Sequence, residues 1–240
     1  MAAFVDYSDI VFDAFQSHFR PQEVVDRKQE ILEKIFEYYN SVPSSILFVG
    51  FNPAILANPD KSVFVTEISD SVLNWLTSQG VKFTYVADLE QFKADCVVAT
   101  DEYFTFGESE ESQKDSITKI CQAAANFVIT TVKDYKNQDF RDREYSHPAI
   151  VRHGSVLTSY IEIHNWDHKN KNDWITGIYR HRGTESKCLG LFNRKTMYFK
   201  QLAKFSMDAG AHGFLVHKNL MYKSLIKKNY EHVISIEIEV

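Results

Sequence analysis

Cysteine is scarce in this 240-residue chain, and its three copies, Cys96, Cys121 and Cys188, lie far apart with no paired metal-ligand spacing. That pattern points to a reducing compartment. The opening "MAAFVDYSDIVFDAF" has acidic residues where a signal peptide needs a basic segment and an unbroken apolar run. No apolar run reaches the roughly 18 residues that a membrane helix requires. The expectation is a soluble, cytoplasmic protein. Gly-x-Ser-x-Gly is missing, so nothing signals a Ser/His/Asp nucleophilic triad. Internal repeats and low-complexity segments are absent as well. What is present suits one domain with elaborations, or one domain plus a small lobe, since 44% hydrophobic and 14% aromatic residues are ample for a core.

Charge is divided along the chain. Residues 1–135 carry 10 Lys and Arg against 21 Asp and Glu, whereas residues 136–230 carry 17 against 8 and hold seven of the nine histidines. Such asymmetry suggests that the second segment meets an anionic substrate or partner, or else balances the protein's own acidic half.

Residues 1–45 read as a helical extension. In "PQEVVDRKQEILEKIFEYYN", Val24, Val25, Ile31, Leu32, Ile35 and Phe36 recur at helical spacing, and Pro21 suits a first turn. Strands and helices then alternate. "SILFVG", "SVFVTEIS", "VKFTYVAD", "ADCVVATD" and "NFVITTVKD" read as strands, with "DSVLNWLTSQG" and "ESEESQKDSITKICQAAA" as the clearest helices. The first four strands and the fifth define a core over 46–137. Within 138–195, two strand-like runs flank the polar turn "DHKNKN", which predicts a basic β-hairpin insertion. A helix and two closing strands occupy 196–240. The expected fold is α/β, a three-layer Rossmann-like arrangement with a mostly parallel seven-stranded sheet and an antiparallel last strand.

In such sheets ligands lie beyond the carboxyl ends of the strands. Those ends carry Gly50, Asn52, Glu67, Asp88, Leu89, Thr100, Asp101, Lys133 and Asp134. A carboxylate ending the second strand is placed to accept two ribose hydroxyls; one after the third can accept an adenine amino group. For any single acid, capping a loop or helix is the plainer role. The ordered set, "ILFVG", "VFVTEIS", "YVADLEQF" and "ADCVVATDEYF", together with the closing "FSMDAGAHGFLVHKNLMY…YEHVISIEIEV", resembles the class I S-adenosylmethionine-dependent methyltransferases. The resemblance implies S-adenosylmethionine as cofactor, with Glu67 at the ribose, Asp88 and Leu89 at adenine, and Gly50, Asn52 and Thr100 lining the site. It also makes Asp101 and His147 candidate bases for methyl transfer to an unidentified, anionic acceptor, possibly nucleic acid. Lys133, Arg152, His153, Trp166, Trp174 and Arg180 are the candidate acceptor contacts. The two tryptophans can equally pair as a small core of the hairpin.

One departure stands out. The family places an acid and two or three glycines in its first loop, where backbone approaches the ligand; this chain keeps only Gly50 and follows it with Phe51, Asn52 and Pro53. Pro53 can open a short helix. If Phe51 and Pro53 fill the hollow, the enzymatic account fails, and an inactive, methyltransferase-like adaptor is the alternative. A second alternative comes from "VGFNP" and the later "SHPAIVRHGS", which loosely resemble the two motifs of uracil-DNA glycosylases, with Asn52 and His147 in the active roles. "HNWDH" spaces His164 and His168 four apart, but at a strand end this does not converge on a metal.

Overall fold

The computed structural model describes residues 2–18, 20–134, 143–145, 149–153, 155–167, 173–226 and 230–238. Two helices, α1 (Ala2–Gln16) and α2 (Pro21–Tyr38), precede a seven-stranded sheet. Its strands are β1 (Ser45–Val49), β2 (Ser62–Thr66), β3 (Thr84–Tyr85), β4 (Ala94–Ala99), β5 (Ala124–Val132), β11 (Ala211–Lys223) and β12 (Tyr230–Ile238). They run in the order β11-β12-β5-β4-β1-β2-β3. Strands β1 to β5 are parallel, and β12 is antiparallel to both β5 and β11. The expected α/β fold is the observed one.

Sequence explains these elements locally. Ile46, Leu47, Phe48 and Val49 of β1 are all buried, as a strand covered on both faces requires. The helix α3 (Asp70–Ser78) starts at Ser69, whose hydroxyl accepts from the Val72 N–H, and the chain leaves it through Gly80 at φ +73°. The helix α4 (Glu110–Ala123) starts on a reciprocal cap between Ser109 and Ser112, with Glu110 and Glu111 in its first turn. The third strand is shorter than "VKFTYVAD" suggests: only Thr84 and Tyr85 pair, both exposed at the sheet edge.

The insertion is larger than a hairpin. It forms an antiparallel sheet of β6 (Arg143–Tyr145), β7 (Ala149–His153), β8 (Val156–Trp166), β9 (Asp173–Arg182) and β10 (Glu185–Lys195), in which β10, β9 and β8 are consecutive and both β6 and β7 pair with β8. The strand β10 escaped sequence reading because its first four residues are exposed and only Phe192 and Arg194 are buried, so it lacks an apolar stripe. The helix α5 (Phe199–Asp208) then returns the chain to the main sheet.

Candidate functional site

Register brings the strand ends into one row. Val49 pairs with Thr66, Phe48 with Val98, and Ala99 with Thr130, so Gly50, Glu67, Thr100 and Thr131 follow side by side at the carboxyl edge. The backbone is unusual here. Gly50 lies at φ +75°, and the left-handed region is also adopted by Glu67 (φ 52°), Asp101 (φ 57°) and Glu102 (φ 56°). Left-handed backbone costs a non-glycine residue about 1–2 kcal/mol and gathers at binding and catalytic sites.

Between β1 and β2 the connection contains only a one-turn 3-10 helix, Pro53–Ala57, with Pro53 at its start as expected. Asn52 remains extended (φ −128°) and caps that turn: its Oδ1 accepts from the Ala54 N–H at 2.9 Å, and its Nδ2 donates to Thr100 Oγ1 at 3.1 Å. The Asn52 amide is thus engaged within the protein. Phe51 points into a cluster with Phe12, Phe15 and Trp75.

Glu67 is buried beside Tyr103, whose hydroxyl donates to its Oε1 at 2.9 Å, while Oε2 is buried with no hydrogen-bond partner. Burial raises the Glu67 carboxyl above the usual range, against the lowering effect of the Tyr103 hydroxyl. A buried acceptor left in this state costs about 1–3 kcal/mol, so the site keeps hydrogen-bonding capacity that the closed structure does not use.

The space in front of these groups is filled by α1. A Cβ on Gly50 would stand 2.6 Å from Phe4 Cε1, and Phe4 packs edge-on against Tyr103 at 4.7 Å between centroids. Ser8 Oγ accepts from the Phe51 N–H at 2.6 Å, and Ser69 Oγ donates to Asp9 at 2.6 Å. Asp13 accepts from Arg180 Nη1 and from the Tyr160 hydroxyl, fastening α1 to the second sheet. The unpartnered acceptor on Glu67, beside the left-handed Gly50, suits a hydroxyl of the ribose of an adenosine cofactor. Phe4 of α1 covers this position in the structure.

Beyond β4, Asp101 is buried; its Oδ2 accepts from the Tyr222 hydroxyl at 2.6 Å and from Thr100 Oγ1 at 3.3 Å. Lys28 of α2 sits with Nζ 3.0 Å from the centre of the Tyr222 ring and donates to the Lys223 carbonyl at 2.6 Å. Burial lowers its pKa to about 8 despite the opposing charges of Asp101 and Glu231. Sequence reasoning missed Lys28 because it fills a polar slot in an ordinary amphipathic helix.

Other candidates scatter. Asp88 is exposed and accepts from the Glu90 N–H, and Leu89 packs on the core. Lys133 and Asp134 are half-buried after β5. Trp166 and Trp174 pack together at 4.6 Å with Tyr198 against them, in the manner of a small core. Arg180 reaches α1, away from the tryptophan pair. Arg152 and His153 contribute backbone to β7, and their side chains, like the whole of His147 and His168, lie outside the described residues. Among the described residues no His, Cys, Asp and Glu cluster could hold a metal.

This strand order and closing antiparallel pair are those of the class I S-adenosylmethionine-dependent methyltransferase fold, and solved structures agree. DesVI from Streptomyces venezuelae superposes with a TM-score of 0.70 at 11% identity, over 96% of this chain and 98% of its own. A S-adenosylmethionine-dependent methyltransferase from Clostridium acetobutylicum gives 0.64 at 11% identity, over 90% and 92%. CalS10, an amino pentose methyltransferase from Micromonospora echinaspora with S-adenosylmethionine bound, gives 0.59 at 10% identity, over 91% of each chain. No family profile and no curated protein sequence matches this chain.

Proposed function

We propose that this protein is an S-adenosylmethionine-dependent methyltransferase whose cofactor cleft is covered by its own first helix and whose acceptor is a small organic anion. The observation that carries this reading is Glu67, a buried carboxylate at the end of β2 with one oxygen unpartnered and its backbone held left-handed. A group that costs stability in the closed structure has a rationale if a ligand hydroxyl completes it. Asp101 is the candidate base for acceptor deprotonation, and Gly50 and Thr100 flank the cofactor.

Nucleic acid is a poorer acceptor. Three described cations of the second sheet are engaged internally, Arg180 with Asp13, Lys195 with Asp173, and the buried Arg194 with Thr105 and Glu102, which leaves Arg182 and Lys187 exposed. Backbone recognition of nucleic acid needs such groups at the surface. CalS10, an amino pentose methyltransferase, and KedS8, a sugar N-methyltransferase, act on small acceptors. The base-excision alternative relied on the Asn52 amide, which here caps the 3-10 turn.

A second reading has a specific observation behind it. Phe4, Ser8 and Tyr103 complete the cleft so well that α1 can be a permanent filling, making the chain an adaptor. Calorimetry with S-adenosylhomocysteine separates the two. Methyl transfer requires binding by the intact chain, several-fold tighter binding by Phe4→Ala, because a closed state lowers apparent affinity by the open fraction, and at least tenfold weaker binding by Glu67→Ala. Silence from both the intact chain and Phe4→Ala selects the adaptor.

A further inference from the structure

A second cavity opens away from the α1-filled cleft. It occupies about 690 Å³ between α2, β7 and the connection from β11 to β12, a size typical of small-molecule sites. Its walls are of two kinds. Val24, Ile31, Ile150, Leu220 and Leu225 supply apolar surface, and Ile150 is 60% exposed. His18, Arg27, Lys28, Lys34 and Lys223 supply positive or protonatable groups.

Among the described residues of this lining the one acid, Glu30, is engaged by Lys34 at 2.6 Å. Arg27 and Lys223 both line this space, and both act on His18, whose pKa is lowered chiefly by burial, with the Arg20 backbone and Glu23 opposing the two cations. Arg27 and Lys223 remain as exposed cations beside aliphatic surface, a pairing that favours a ligand with an anionic head and an apolar body. We infer that this cleft binds an amphipathic anion, a phosphate, sulfonate or carboxylate head carried on an apolar body, with Arg27 and Lys223 at the head and Ile150, Ile31 and Leu220 along the body.

The back wall connects this cleft to the first loop of the main sheet. Lys28 lies over the Tyr222 ring, the Tyr222 hydroxyl meets Thr100 Oγ1 at 3.1 Å, and Thr100 accepts from Asn52. The inference stands apart from methyl transfer, since it concerns binding in the absence of any cofactor.

The test uses the full chain and 8-anilinonaphthalene-1-sulfonate as fluorescent probe. One saturable site is expected, with the probe displaced by dodecyl phosphate. Inorganic phosphate and dodecyltrimethylammonium at equal concentration should leave it in place. The exposed pair Arg27→Ala/Lys223→Ala should weaken binding at least tenfold, and Ile150→Glu should do the same by placing a charge against the apolar body. Lys82→Ala, an exposed cation outside the cleft, should change nothing. Displacement by the cationic detergent, displacement by inorganic phosphate alone, or unchanged affinity in both cleft variants would each overturn the inference.

Discussion

Glu67 sets the residue scale. Its carboxyl is raised in the folded chain, chiefly by burial, so between the unfolded and the folded pKa the native state holds a proton that the unfolded state has released. The stability tied to that proton is complete below the unfolded carboxyl pKa and is lost as pH rises through the higher folded value. Glu67→Gln removes this dependence. It should flatten thermal melting across the acidic range and weaken S-adenosylhomocysteine binding, because the amide sets an N–H group where the acceptor stood. Calorimetric melts at several pH values check the first part, and titration checks the second. Gly50→Ala meets both a left-handed backbone and Phe4 Cε1 at 2.6 Å. A loss of about 2 kcal/mol or more is expected in urea unfolding, and combining it with Phe4→Ala should recover the contact part but leave about 1 kcal/mol of backbone strain. Sequence made the strand-end residues readable because strand periodicity and order are local. It could not show that Asn52 would turn inward, since a cap and a ligand contact require the same amide.

At the scale of elements, α1 decides what the cleft can do. It was read only as part of a helical extension, because amphipathic spacing says which face is buried and not which surface receives it. Phe4, Phe12 and Phe15 together contact Gly50, Phe51, Trp75 and Tyr103. Displacing α1 would therefore strip two rings from Trp75, which is half-buried, while the other two tryptophans remain paired in the second sheet. Saturating S-adenosylhomocysteine should red-shift Trp75 emission, and Trp75→Phe should abolish the shift. A change that persists in Trp75→Phe would place the movement elsewhere. Arg180→Ala removes the tether to Asp13. The pair is partly exposed, so the stability loss should stay below about 1 kcal/mol, yet cofactor affinity should rise as α1 loosens.

Across the whole molecule, Lys28 ties the amino-terminal helices to the closing strands through Tyr222, the Lys223 carbonyl, Asp101 and Glu231. Its folded pKa of about 8 lies below the unfolded value, so between these values the unfolded chain binds the extra proton and stability rises with pH. Melting temperature should climb from about pH 8 to about 9.5, below the range where lysine titrates freely. In Lys28→Met this climb should vanish, and the variant should be less stable than the parent at pH 7, because Asp101 and Glu231 lose their buried counter-charge. Such long-range convergence, residues 28, 101, 222 and 231 in one cluster, leaves no trace in spacing. The alternating order of strands and helices does, which is why the architecture was legible and its central lysine was not.

The five-residue 3-10 turn at Pro53–Ala57 has a consequence for engineering. Substitutions alone have too little chain there to restore a glycine-rich arch and a full following helix, so a redesign toward the ordinary loop must lengthen the polypeptide between Val49 and Ser62. The lengthened segment would compete with Phe4 for the same volume, making the fate of the amino-terminal helix the readout of whether the graft has taken.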